Sequence, residues 1–468
     1  MEDSLRRPPE AWALVVAGGV WLAGASASGA LAFLLAALPG ALLLASGVGA
    51  LLLWDDVRVR RYGAFGALLG ALLALPLGFF TGAATALLLL VLSAVAFVAA
   101  GALALRETKR VEGVPEPVPA LGLSAETACD DAILALFDLA LPRTSDEDAA
   151  RHVRELAEAE ERFTAHGWLE KPESFHATPP PFAAVASEKR RSARVDFEHL
   201  SCESGYAPHP DEPGRERWLG YAPTRTAHAW QLRHADAGRP WLVCIHGYRM
   251  GHPWIDLTAF RAERLHTRLG LNVLLPVLPL HGPRRIGRLS GDGFFGADVL
   301  DMVHAEAQAM WDLRRWLGWL RAQGATRIGV YGLSLGGYNA ALLAGLEAEL
   351  ACVIAGIPAT DLAALIWTHG PAHLLHVAES RGLEHERAER VLRVVSPLAL
   401  APQVAKERRF VFAGNADQLV PAAHVQALIR HWEEPRTAWY AGAHLTFGIH
   451  EAVTRQLAEA FRAGGLTS

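Results

Sequence analysis

Three residues in the last third of the chain have the types and the order that nucleophilic acyl chemistry needs. Ser334 lies in Gly332-Leu333-Ser334-Leu335-Gly336, followed by Gly337. The apolar run RIGVY precedes it, and YNAALLAGLEAE, which reads as a helix, follows. A serine at a sharp strand-to-helix turn needs small neighbours, because the backbone is tightly bent there and its Oγ must stand clear. The hydroxyl is a weak nucleophile until a base takes its proton. His444, in Gly442-Ala443-His444 after the run TAWYA, is the candidate base. Asp417, in Gly414-Asn415-Ala416-Asp417-Gln418-Leu419-Val420-Pro421 after RRFVFA, is the candidate acid. It would hold the imidazole tautomer and stabilise its charged form. Asp361 is the rival acid; it follows CVIAGIP and reads better as the N-cap of the helix DLAALIW.

Such residues need a rigid frame. From about residue 194 short β-like runs alternate with helical ones. The runs are 194–201, 226–234, 241–246, 271–278, 327–333, 350–357, 408–413 and 436–440. Helical stretches fall at 256–269, 299–323, 336–348, 422–433 and 447–463. Strands alternating with helices predict a mostly parallel sheet covered on both faces, with an antiparallel edge where the first two runs join without a helix.

A fourth segment, Trp241-Leu242-Val243-Cys244-Ile245-His246-Gly247-Tyr248, completes a pattern. Taken with the serine, acid and histidine segments, and with the order Ser334, Asp417, His444, it resembles the α/β-hydrolase superfamily. The resemblance covers some 200 residues. It implies a mostly parallel eight-stranded sheet flanked by helices, with a lid insertion at about 361–398. It also implies that the N–H groups of Tyr248 and Leu335 bind the oxyanion, each such donor being worth about 2.7–4 kcal/mol. In this superfamily the loop His281-Gly282-Pro283-Arg284-Arg285 borders the active site. Arg284 and Arg285, with Arg288, are therefore candidate contacts for a phosphate or carboxylate of the substrate. The bland reading of this loop is a solvated basic segment, or one pairing with Asp292 or Asp298. Ser290–Gly296 lacks P-loop spacing, and Ser290 lacks an elbow. His369, His373 and His376 have helical spacing but no carboxylate to complete a metal site, and Gly370-Pro371 interrupts them. No metal or organic cofactor is expected.

The 468 residues are 51% hydrophobic and 20% charged. A mean hydropathy of +0.17 is high for a soluble chain. The net charge of −5 excludes a strongly basic nucleic-acid binder, and the four scattered cysteines suggest neither a disulfide framework nor a zinc knuckle. The apolar excess is concentrated in 11–54 and 62–105, two runs without Asp, Glu, Lys or Arg. Each would be roughly 66 Å long as one helix, about twice a hydrocarbon core. Each therefore predicts two spans, reversing near Ser26–Gly29 and Leu77–Gly82, with Pro39 a turn or a kink. Arg6, Arg7, Arg58, Arg60, Arg61, Arg106, Lys109 and Arg110 then flank four transmembrane helices on one side, which the positive-inside rule puts in the cytoplasm.

The expected domains are thus 1–110, four spans; 111–193, a Pro-rich linker and helical segment with no evident chemistry; and 194–468, the hydrolase domain. The expected protein is an integral, multi-pass membrane serine hydrolase with its catalytic domain in the cytoplasm. It would cleave a small-molecule or lipid carboxylic ester or thioester through an acyl-enzyme on Ser334. Nucleic acid is not an expected partner, and the oligomeric state is open. Acyltransferase or peptidase chemistry uses the same triad, and a membrane scaffold or sensor with a hydrolase-like binding domain is the reading from another class. The spans carry no ionisable group and the linker separates them from the triad. They are therefore expected to localise the enzyme without serving its chemistry, so that a chain starting near residue 112 would fold and act.

Overall fold

The computed structural model describes residues 8–26, 29–52, 57–140, 145–192, 194–236, 238–295, 298–370, 375–376, 379–380 and 382–467. Arg6 and Arg7, part of the first expected span reversal, Pro371 and His373 lie outside the described residues. The chain divides into two compact units. One comprises Met1–Ala140, Gly414–Ala422 and Trp439–His450; the other comprises Leu141–Ala413, Ala423–Ala438 and Glu451–Ser468.

The first unit is built on five helices: α1 (Pro9–Ser26), α2 (Ala30–Leu52), α3 (Val57–Thr81), α4 (Ala83–Glu107) and α5 (Leu121–Ala140). Three segments, Ala30–Leu52, Val59–Thr81 and Ala83–Glu107, are long and apolar enough to cross a membrane, while the apolar stretch in α1, Pro9–Gly24, is shorter. At the second reversal Gly82 takes φ 87°, a left-handed turn that favours glycine. Pro39 sits inside α2 and makes no reversal. Small residues let these helices approach closely: a Cβ on Gly101 of α4 would lie 1.7 Å from the Ser124 carbonyl of α5. A shared core of Leu14, Trp21, Leu43, Leu77, Leu89, Ala128 and Ala132 runs through all five. Within it the Trp21 indole N–H donates to Ser93 Oγ at 3.1 Å. Arg60 and Arg61, among the charges expected to flank the spans, are 7% and 2% exposed. Their carboxylate neighbours, Asp131 and Glu107 for Arg60 and Asp138 for Arg61, come from α5 and the end of α4.

The second unit holds α6 (Asp146–Ala165) and most of the sheet. Ser145 caps α6, its Oγ accepting the Asp148 N–H at 3.1 Å. The strands are β1 (Ala186–Ser192), β2 (Val195–Glu203), β3 (Thr226–Leu232), β4 (Trp241–Ile245), β5 (Asn272–Val277), β6 (Ile328–Leu333), β7 (Cys352–Gly356), β8 (Arg409–Gly414) and β9 (Arg436–Tyr440). Their order across the sheet is β1-β2-β3-β5-β4-β6-β7-β8-β9. β1, β2, β3 and β5 pair antiparallel; β5, β4, β6, β7 and β8 pair parallel. Every residue of β4 through β8 is buried, as a sheet covered on both faces requires. The eight expected strands are present, and β1 makes a ninth. The expected helix 256–269 is two short ones, α8 (Pro253–Ala259) and α9 (Ala262–Thr267), broken where Arg261 takes φ 49°; α7 (Arg215–Gly220) precedes them. α10 (Val299–Ala322) and α11 (Leu335–Ala344) flank β6, and α12 (Leu362–His369) opens the segment expected to be a lid. A mostly parallel sheet with flanking helices and a serine elbow after β6 is an α/β-hydrolase fold.

Candidate active site

The elbow belongs to the second unit. Ser334 has φ 56° and ψ −116°, a strained conformation for a residue with a Cβ, between the end of β6 and the first residue of α11. Its N–H donates to the Gly356 carbonyl at 2.9 Å and its carbonyl accepts from Tyr338 N–H at 3.0 Å, so the kink is held from both sides. The glycines around it are required by space. A Cβ on Gly332 would lie 1.9 Å from the Gly336 carbonyl oxygen, and one on Gly336 would lie 1.9 Å from that of Ile245. Leu335 N–H, at the start of α11, has no acceptor within the helix, as the first turn of any helix dictates.

The loop after β4 runs beside this turn: a Cβ on Gly247 would stand 3.3 Å from Ser334 Cβ. His246 fixes its start. Nε2 accepts the Leu278 N–H at 3.0 Å, so Nδ1 carries the proton and donates to the Gly247 carbonyl at 2.8 Å. Burial holds His246 below the ordinary imidazole range, consistent with that neutral tautomer. Arg249, at φ 66°, donates to the Ser290 carbonyl at 3.0 Å and pairs with Asp292. The Ser290 hydroxyl donates to the Met250 carbonyl and accepts the Gly282 N–H at 2.8 Å. Ser290 is thus a staple between loops, as its lack of an elbow suggests.

Arg284 is fully buried. Its guanidinium donates to Asp312 Oδ2 at 2.8 Å and to the carbonyls of Thr224 and Val277 at 2.8 and 3.0 Å. The expectation that Arg284 receives a substrate anion therefore gives way to an internal ion pair that locks the loop to β5 and α10. Arg285 is exposed, with one bond to the Gly282 carbonyl at 3.2 Å. Asp292 is taken by Arg249, and Asp298 by Arg151 and Arg217. Asp361 caps α12, its Oδ1 accepting the Ala364 N–H at 2.8 Å. His369 ends α12. The metal-capable group found among the described residues is elsewhere: His166, His209 and Asp211, all exposed, with ligand atoms within 4.8 Å of one another.

The acid and histidine loops belong to the first unit. Asp417 and His444 are both buried. His444 Nδ1 donates to Asp417 Oδ2 at 2.6 Å, which leaves Nε2 as the basic nitrogen. Asp417 Oδ1 accepts the N–H groups of Leu419 and Val420 at 2.9 and 2.7 Å, so the carboxylate is fixed by its own loop. Burial opposes a charge on His444. The Asp417 charge, the hydrogen bond that His444 donates to Asp417 and a second carboxylate, Asp130, outweigh it and raise the imidazole above its ordinary value. Asp130 was absent from the sequence reasoning. It lies on the buried face of α5 with Thr127, Ala128 and Leu134. An acidic doublet, Asp130-Asp131, at core spacing within an apolar helix was the available signal.

No protein-family profile matches the chain. It is 43% identical over 355 residues to Uncharacterized protein Rv2627c of Mycobacterium tuberculosis (strain ATCC 25618 / H37Rv), covering 75% of this chain and 85% of that one. Uncharacterized protein MT2702 of Mycobacterium tuberculosis (strain CDC 1551 / Oshkosh) gives the same identity and coverage. The chain belongs to their family. Among solved structures, acetyl xylan esterase 1 from Thermoanaerobacterium sp. JW/SL YS485 is 15% identical, with TM-score 0.44 over 65% of this chain and 93% of that one. The acetyl xylan esterase from Paenibacillus sp. R4 is 17% identical, with TM-score 0.44 over 70% and 99%. The fold rests on the chain's own strand order and pairing.

Proposed function

We propose that this member of the mycobacterial family is an integral membrane serine hydrolase, with α1 to α4 as four spans and the hydrolase domain facing the cytoplasm. Its substrate is a carboxylic ester or thioester, small-molecule or lipid. The observation that carries the reading is the backbone of Ser334. A non-glycine residue at φ 56° on a strand-to-helix turn, with glycines packed against it on both sides, is strain with a use: it presents a nucleophile. The 2.6 Å bond between buried Asp417 and His444 supports it, because a base and its orienting acid follow in the order this chemistry uses.

In the proposed reaction His444 Nε2 takes the Ser334 proton as Oγ attacks the carbonyl carbon. The oxyanion of the tetrahedral intermediate is bound by Tyr248 and Leu335 N–H. Collapse breaks the bond to the alcohol or thiol, which leaves with the proton from His444. Water, deprotonated by the same imidazole, then attacks the acyl-enzyme, and His444 returns that proton to Ser334 Oγ as the acid leaves. Arg285 remains the candidate contact for an anionic part of the substrate.

The test is a panel of p-nitrophenyl esters and acyl thioesters, from acetyl to palmitoyl, against the full chain in detergent. At least one should turn over, and Ser334→Ala should lower that turnover more than about 10³-fold. Activity unchanged by the substitution would remove Ser334 from the reaction. A folded protein inert to the whole panel would favour a binding role for the hydrolase-like domain.

A further inference from the structure

The acid and histidine loops are held by a helix that the chemistry described so far does not use. Asp130 of α5 is fully buried. Its Oδ2 accepts the backbone N–H groups of His444 at 2.8 Å and Gln418 at 3.1 Å, and its Oδ1 lies 3.3 Å from that of Leu445. His444 and Leu445 open a short 3-10 helix, His444–Ile449, whose first N–H groups have no acceptor inside it. Asp130 thus caps that helix from another part of the chain. The same carboxylate ties it to the residue after Asp417. One turn earlier on α5, Glu126 Oε2 accepts the Thr446 hydroxyl at 2.6 Å, gripping the same loop a second time.

The grip continues into the apolar helices. Arg60 of α3 donates through Nε to Asp131 Oδ2 at 3.1 Å and through Nη2 to Gln418 Oε1 at 2.8 Å. Gln418 Nε2 donates to the Ala416 carbonyl at 3.0 Å and lies 3.3 Å from Thr108 Oγ1, just past α4. The residue beside the acid is therefore held at its backbone by α5 and at its side chain by α3 and the end of α4. Burial and the nearby Asp417 charge push Asp130 up to about 8, so holding a carboxylate here is costly. An apolar residue would fill the same space at lower cost, but it would leave the loop amides without their acceptor.

We propose that Asp130 is a positioning residue for the Asp417–His444 pair, with Arg60 holding its neighbour Asp131 and Gln418, so that α3 and α5 set the acid and histidine loops. The proposal rests on the serine hydrolase reading. Its test uses the full chain in detergent and a short soluble ester that the wild type turns over. Asp130→Ala should lower kcat at least 100-fold and leave KM within threefold, because substrate contacts are untouched while the base is misplaced. Asp130→Asn should recover kcat to within tenfold of wild type, since its Oδ1 can accept from His444 and Gln418 without a charge. A purely structural residue would give neither the split between kcat and KM nor the rescue.

Asp130→Glu keeps the carboxyl group but shifts the acceptor by a methylene, and should lower kcat at least tenfold. It supplies the same reading if Asp130→Ala does not fold. A kcat within threefold of wild type for Asp130→Ala or Asp130→Glu, in an active enzyme, overturns the positioning role alone. A wild type that cleaves no ester overturns the hydrolase reading, and this proposal with it.

Discussion

His444 is under opposing pressures, and their balance fixes a pH dependence. Burial favours the neutral ring, while Asp417 and Asp130 favour the charged one and prevail, so the pKa is raised. A general base must be neutral to accept the serine proton. Activity is therefore lost as pH falls through the raised value, earlier than for an ordinary imidazole near 6.5. The acid limb of the kcat/KM profile should lie above 6.5; a limb at or below it would contradict the role given to Asp417. Asp417→Asn should also cut kcat by about 10⁴, because an amide stabilises the wrong tautomer. Asp361→Asn should leave kcat near wild type, since the amide Oδ1 can still accept the Ala364 N–H and cap α12. The opposite ranking would move the acid to the loop after β7. At this scale the elbow at Ser334 and the Asp417–His444 pair were legible because local motifs mark them. Asp130 was not, because its partners are backbone N–H groups more than 280 residues away, which no local pattern encodes. Arg284 was misread for a related reason: Asp312, its buried partner, lies on α10, well beyond the loop.

The strands β2 to β9 were readable as elements because each carries a short apolar run or, as in β2, an alternation of apolar and polar residues. β1 was not: its residues Ala186–Arg191 are exposed, and what makes it a strand is backbone pairing with β2 from Ala186↔Ser201 to Ser192↔Val195. Such a polar, Lys- and Arg-bearing strand suits a sheet edge, where it discourages pairing with other chains. The break between α8 and α9 was likewise invisible, since nothing in the side chains announces a left-handed Arg261. The elbow makes the sharpest element-level prediction. Gly336→Val would force a Cβ toward a site 1.9 Å from the Ile245 carbonyl oxygen, against backbone that cannot rotate away. It should cost about 3 kcal/mol or more and abolish turnover. The melting temperature in detergent and the ester assay check this together, and wild-type values in both would mean that the elbow does not need its glycine.

At the scale of the whole molecule, the sequence reading separated an anchor from an enzyme by a linker. The apolar composition of 11–54 and 62–105 supported that division, and Arg60, between the two runs, read only as a flanking charge. The structure gives Arg60 bonds to Asp131 and to Gln418, next to the acid. A chain starting at residue 112 loses Arg60, Glu107 and Thr108, and α5 loses the packing of Gly101 against Ser124. That chain should turn over a short soluble ester at least about 100-fold more slowly than the full protein, a difference of about 2.7 kcal/mol in transition-state stabilisation. Turnover within tenfold would favour a separate anchor instead. The central claim, that Ser334 is an activated nucleophile, has one most direct measurement. The full chain in detergent is treated with a fluorophosphonate, digested, and its peptides are weighed. The account predicts a single stoichiometric phosphonyl adduct on the peptide containing Ser334, absent in Ser334→Ala and slowed in Asp417→Asn. A folded protein that takes up no label, or that carries the label on another residue while Ser334 stays unmodified, would contradict it.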